Sequence, residues 1–208
     1  VIFEAVEYSG EWQPIKYPWH LLNVWKIFTK SIQKKSTMQK TKNVQIAKTA
    51  VIHQNHGPVV LEEGVRILDY AVIQGPAYIG KNTLIAHHAL VRDSHIGADC
   101  VVGFSTEVAR SFLCDGVWTH SNYIGDSVIG ARTSFGAGAV TANLRLDEKN
   151  IFVNVNGERV DTGTNKFGII TGENVRVGVN TSIMPGVKIG NNSFGGSGIC
   201  VNENVDDG

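Results

Sequence analysis

From Leu61 onward an aliphatic residue returns every six positions, at Leu61, Ile67, Ile73, Ile79, Ile85 and Val91, and after a one-residue deletion again at Ile96, Val102 and Val108. A helix, with its period near 3.6, or a strand alternating every second residue would not produce a repeat of six. Four positions after each aliphatic stands a small or β-branched residue, Val65, Ala71, Ala77, Thr83 and Ala89, then Cys100 in the shifted frame. Residues of that size suit tight corners between short strands. The period returns at Ile124, shortens once to Ile129, and runs on through Phe135 and Thr141. A last block holds Thr171, Val177, Ile183, Ile189 and Val201, with Gly195 as its one empty step. Each unit reads as a short strand and a turn, and three units close a triangular coil of about 18 residues. One coil cannot bury its own aliphatics, so the coils must stack into a solenoid, an all-β parallel β-helix.

Two stretches fall outside the repeat. Residues 143–168 interrupt the coils, and within them "IFVNVNGERVDTG" sets Asn156-Gly157 between two alternating segments, the pattern of a hairpin with a type I′ turn. A hairpin arm is expected to project there. Near the start, "YPWHLLNVWKIFTKSI" puts Trp19, Leu22, Trp25 or Lys26, and Phe28 on a helical period opened by Pro18. This predicts an amphipathic helix at about Pro18 to Ile32. The polar, basic run 34–43 reads as a linker, so the expected organisation is an N-terminal segment over 1–43 and a β-helix over 44–208.

Composition narrows the partners. Lys and Arg number 19, as do Asp and Glu, so no charge excess points to nucleic acid or an anionic membrane. No apolar run approaches the roughly 18 residues of a membrane span, and the first residues lack a secretory pattern. A cytoplasmic location is the expectation. Cys100, Cys114 and Cys200 form no CxxC pair and are read as small buried hydrophobes. The chain begins at Val1 without methionine, which suggests a fragment or a leader that precedes it.

The stretch His120 to Arg145 resembles the acetyltransferase domain of bifunctional sugar-1-phosphate nucleotidyltransferases, the group that includes glucosamine-1-phosphate acetyltransferase / N-acetylglucosamine-1-phosphate uridyltransferase. Archaeal-type members are most similar, through H-x-x-Y-I-G-D-S at His120 to Ser127, G-A-G at Gly136 to Gly138, and T-A-N-L-R at Thr141 to Arg145. "YSGEWQPIKYPWHLL" upstream and "DTGTNKFGIITGENVRVGVNTSIMPGVKIG" downstream extend the likeness over nearly the whole chain. The resemblance implies a left-handed β-helix, homotrimeric, with active sites between subunits. The G-x-G-T-R-type nucleotide loop of such enzymes is missing from these residues, so this chain alone is not expected to transfer nucleotidyl groups.

Acetyl transfer to a sugar amine needs a base near neutrality, a role that suits an imidazole. The resemblance assigns it to His120, which sits just before Ile124 in a shortened repeat. It also implies sugar contacts from Tyr123 and Asn143 and phosphate contacts from Arg92, whose fork of donors suits a sugar phosphate. Lys149 resembles an archaeal-type site lysine and Lys166 a bacterial-type one. Ala137, between Gly136 and Gly138, is implied to present its amide to the acetyl group, with Val179 and Ser197 along the coenzyme path. The departures are Ala109 and Phe152 where lysines are expected, Ser134 where many members carry asparagine, and no Lys or Arg after Lys188.

Some left-handed β-helices are zinc enzymes, but no second histidine follows His120 at the spacing those use, so no metal is expected. His20, His53 and His56 are expected to face solvent or the helix packing. The implied function is acetyl-CoA-dependent N-acetylation of a hexosamine 1-phosphate. Two alternatives stand beside it: a non-catalytic trimerisation domain, and another acyl-CoA acyltransferase acting on a different sugar amine.

Overall fold

A computed structural model describes residues 3–32 and 39–208. Within them the hexads become three walls of short parallel strands wound around one axis. The first wall carries Gln45–Ile46, Arg66–Ile67, Leu84–Ile85 and Val101–Val102, then Ser134–Phe135, Arg176–Val177 and Phe194–Gly195, with Trp118 bridging the two groups. On the second lie Val51–His53, the first half of Val72–Ile79, the first half of Leu90–Ile96, Glu107–Ala109, Tyr123–Gly125, Val140–Thr141, Ser182–Ile183 and Cys200–Val201. The third holds Val59–Leu61, the second halves of the two long strands, Phe112–Leu113, Val128–Ile129, Ile170–Thr171 and Lys188–Ile189. Gln39–Lys40, at the end of the expected linker, pairs with Val60 and Leu61. Residues 34–38 of that linker lie outside the described residues.

The hexad aliphatics are the core. Leu61, Ile67, Ile73, Ile79, Ile85, Val91, Ile96, Val102 and Val108 are each buried, as are Ile124, Ile129 and Phe135. Leu113 and Thr119, which the hexad count passed over, keep the ladder unbroken between Val108 and Ile124. Stacking one inward residue per wall at each level removes the whole side chain from water, about 1.5–3 kcal/mol for each Ile, Leu or Val. Corners explain the polar residues. Asn82, Asp99, Asn174 and Asn192 all take positive φ at the turn from third wall to first, where short polar side chains tolerate the left-handed conformation.

Coil length is not constant. Along the turn from second wall to third, Ile73 and Ile79 or Ile183 and Ile189 stand six apart. Val91 and Ile96, Val108 and Leu113, and Ile124 and Ile129 stand five apart. Those three shortened corners share a hydroxyl ladder. Ser94, Ser111 and Ser127 donate to the carbonyls of Arg92, Ala109 and Gly125 at 2.8, 2.9 and 2.7 Å. Each in turn accepts the amide of the next level, from Ser111, Ser127 and Ile169, at 3.1 Å. All three serines are fully buried, so the bonds satisfy groups that water cannot reach.

The helix runs His20–Ile32, two residues later than the sequence suggested, because Pro18 and Trp19 form the turn that feeds it. Trp19 and Trp25 are buried, but Phe28, expected on the packed face, is more than half exposed. Trp25 meets an outward stack on the third wall, where the His95 ring lies 4.9 Å from Tyr78 and 4.1 Å from Phe112. Burial there pushes the His95 pKa down, and its Nδ1 faces the Leu113 carbonyl at 3.3 Å. The hairpin pairs Phe152–Val155 with Glu158–Asp161, and Asn156 and Gly157 both have positive φ as a type I′ turn requires. It does not stand wholly free of the coils: Ile151 and Val153 are buried with Trp19, Phe167 and Ile170. Of the cysteines, Cys100 is buried, Cys114 partly so, and Cys200 is exposed, which corrects the uniform expectation.

Truncating Ile124→Ala should cost about 2–5 kcal/mol, since rigid neighbours above and below cannot close the cavity. Denaturant unfolding of the variant measures this; a loss under about 1 kcal/mol would contradict a tightly stacked core.

Candidate active site

The expected site residues divide between the two edges of the second wall. On the edge shared with the first wall stand His120, Ala137, Val179 and Ser197, all exposed. The amide of Asn180 donates to Ala137 O and that of Gly198 to Val179 O, so Ala137, Val179 and Ser197 line up along the axis, at about 4.8 Å per level. His120 occupies a corner one residue short, Thr119 and Ile124 being five apart where Val102 and Val108 are six. Its carbonyl accepts Thr106 Oγ1 at 2.5 Å, and a Cβ at Gly103 would strike that carbonyl.

A residue the sequence reading passed over fixes this corner. Asn122 is buried; its Oδ1 accepts the His120 amide at 2.7 Å, and its Nδ2 donates to Gly136 O at 2.8 Å and Ala139 O at 2.9 Å. The side chain therefore pins the histidine turn to the Gly136–Gly138 turn one level on. Only an asparagine-sized group with both an acceptor and a donor does this.

The opposite edge, where the second wall turns into the third, carries Arg92, Tyr123, Asn143 and Lys166. Asn143 Nδ2 donates to Tyr123 Oη at 3.1 Å and to Asp126 Oδ2 at 2.5 Å. Arg110 grips the same carboxylate, Nε to Oδ1 at 2.6 Å and Nη2 to Oδ2 at 2.7 Å. That pairing raises the Arg110 pKa above its ordinary value against the opposing effect of burial, with Tyr123 adding a smaller push. Arg92 is not a free fork: its Nε and Nη2 lie 2.8 and 2.7 Å from Glu107 Oε1. In register with Arg92 and Gly125 sits Ala109, fully buried, so the position where the resemblance expects a lysine is covered by its neighbours.

Between this edge, the helix and the return of the hairpin lies a cavity of about 330 Å³ whose walls include Trp25, Lys26, Asp93, Arg110, Asp126 and Lys166. Lys166 thus joins the Asp126 group, and its backbone bridges Leu144. Lys149 does not: it is exposed on the loop where Asp147 holds Arg145 at 2.8 and 2.7 Å and accepts the Lys149 amide at 3.3 Å. Burial raises the Asp93 pKa. The Trp25 indole N–H lowers it somewhat, as Lys26 and Arg110 do, yet Trp25 Nε1 closes no hydrogen bond.

His120 and Asp126 flank the three-residue strand Tyr123–Gly125 from its two ends, one at each corner of the second wall. One chain therefore carries its histidine edge and its polar edge at opposite ends of the second wall. A donor arm could lie along the first edge, whose exposed turn of Gly136, Ala137 and Gly138 presents little side chain. Among the described residues no cluster of three His, Cys, Asp or Glu could hold a metal ion, and no helix is long and apolar enough to cross a membrane.

Comparison with known proteins supplies the family. Residues 58–93 match the model described as bacterial transferase hexapeptide (six repeats). The chain is 34% identical over 204 residues to the bifunctional protein GlmU of Methanococcus vannielii, covering 97% of this chain and 47% of that protein. It is 36% identical over 205 residues to a bifunctional sugar-1-phosphate nucleotidylyltransferase/acetyltransferase of Sulfurisphaera tokodaii, covering 97% and 49%. The chain thus spans about half the length of these relatives. An uncharacterized acetyltransferase of Escherichia coli O6:K15:H31, YaiX, is 36% identical over 171 residues, covering 81% of this chain and 74% of its own.

Because burial raises the Asp93 pKa, this residue favours the fold when protonated; that contribution is complete below the ordinary value of 3.8 and is lost as pH rises through the folded pKa. Asp93→Asn, which also suits the positive φ of 47° there, should raise the thermal midpoint by a few degrees at pH 7.5 and by nothing at pH 3.5. Thermal unfolding at the two pH values checks it; equal shifts at both would contradict the burial penalty.

Proposed function

We propose that this chain, which belongs to the bacterial transferase hexapeptide family, is an acetyl-CoA-dependent N-acetyltransferase acting on a hexosamine 1-phosphate, glucosamine or galactosamine, in the cytoplasm. The observation that carries the reading is the two-edged wall: a histidine pinned over a glycine turn on one side, and an amide, a phenol and a carboxylate–guanidinium pair on the other. The likeness to the bifunctional sugar-1-phosphate nucleotidylyltransferase/acetyltransferase of S. tokodaii supports it.

Acetyl-CoA supplies a thioester. The chain's part is to hold the amine and take its proton. His120, exposed at its corner, acts as the general base; Asn143 and Tyr123 orient the amino sugar; Lys166, beside Arg110, and Arg92 favour its phosphate; Lys149 closes over it from the exposed loop. Ala137 presents its amide to the acetyl group, and Val179 and Ser197 line the donor's path. Because the two edges stand at opposite ends of the second wall of one chain, a second copy brings its polar edge to the histidine edge of the first. A homotrimer around the axis closes three such clefts, each between neighbours.

A second reading, a non-catalytic trimerisation domain, is favoured by the Arg92–Glu107 pairing and the buried Ala109, which leave fewer free cations than a sugar phosphate would use. Calorimetry with acetyl-CoA separates the two, the assembly role giving no heat. For the enzyme, glucosamine 1-phosphate or galactosamine 1-phosphate with acetyl-CoA should release free thiol. His120→Ala should cut kcat by about 10²–10⁴-fold, the usual worth of a general base. No thiol from either sugar phosphate, or a variant as active as the parent, would overturn the reading.

A further inference from the structure

Asp126 is 94% buried, and both oxygens of its carboxylate are bonded: Oδ1 by Arg110 Nε, Oδ2 by both Arg110 Nη2 and Asn143 Nδ2. A carboxylate accepts only, so the Asn143 group facing it must be the NH2; the flipped amide would set two acceptors against each other. That NH2 has two hydrogens, and its second partner is Tyr123 Oη. The phenol oxygen thereby accepts from within the protein, which leaves its own O–H to donate elsewhere. Asn143 Oδ1, in turn, makes no bond to this network. One buried carboxylate thus sets the polarity of two partly exposed groups at the edge of the wall: an amide oxygen that accepts and a phenol that donates.

We propose that Asp126, held by Arg110, is a positioning residue that fixes Asn143 with its carbonyl oxygen outward and so selects a substrate nitrogen bearing hydrogens. This rests on the N-acetyltransferase reading above. An amine nucleophile has N–H groups to give to Asn143 Oδ1, and a ring oxygen or hydroxyl of the sugar can accept from Tyr123. A substrate presenting an ether or carboxylate oxygen at the same point would meet an acceptor and be rejected. Arg110 acts here through Asp126. It neutralises Asp126 and, by its two-point grip, stops the carboxylate from rotating away from Asn143. The pairing spans residues 110, 126 and 143, one per level, and the shortened corners with their serine ladder hold those levels in place.

The test uses the full chain in two independent ways. Asn143 side-chain amide signals, from selective asparagine labelling and assigned by their loss in Asn143→Asp, should lie downfield and exchange slowly in the parent. They should move to ordinary positions in Asp126→Asn and be partly restored in Asp126→Glu. Kinetically, Asp126→Asn should raise KM for the amino sugar phosphate about tenfold, with KM for acetyl-CoA unchanged. Unaltered Asn143 signals in a folded Asp126→Asn protein, or both KM values rising together, would overturn the inference. If the parent transfers no acetyl group, the acetyltransferase reading falls, and the amide signals still decide whether Asp126 orients Asn143.

Discussion

Backbone pairing from coil to coil is the constraint on which the rest depends. Each residue on a wall is hydrogen-bonded to its counterparts one level up and one level down, at about 4.8 Å, so its height and direction follow from its place in the hexad. Inward positions each take one side chain, mostly aliphatic, outward positions face solvent or a neighbour, and many corners turn the backbone through positive φ. Arg110 and Asp126 meet because they occupy the same corner of successive coils, with no local sequence relation between them.

That explains which parts of the molecule are legible in the sequence. The period of six gives the walls, the identity of the core from Leu61 to Val201, and the interruption at 143–168. The Asn-Gly turn and the helix opened by Pro18 follow from local rules. Packing against the coils is less visible. Ile151 and Val153 look like the inner face of a free arm, and their burial under Trp19 depends on two segments more than a hundred residues apart. His95 invites a metal test by residue type alone, whereas its ring is a slab in an aromatic stack beneath the helix.

The candidate site is legible by family resemblance for His120, Tyr123 and Asn143, and less so for the groups that hold them. Asn122 stands two residues after the histidine and reads as a turn asparagine until its three hydrogen bonds tie two levels together. Arg110 follows Ala109, where the resemblance expects a lysine, and its fork is turned along the corner to Asp126. A signal for both was present: the hexad spacing contracts from six to five beside Asp93, Arg110 and Asp126, and again beside His120. Irregularity in an otherwise strict repeat costs local pairing, and it persists where something other than stacking is being arranged.

Those contractions separate two kinds of information along the chain. Removing one residue from a corner shortens a coil by about 3.3 Å without displacing an inward aliphatic from its wall. The core is therefore written in the residues that recur and the polar edges in the residues left out. A protein built this way can change what it recognises by altering corners alone, because the stack that keeps it folded does not read them.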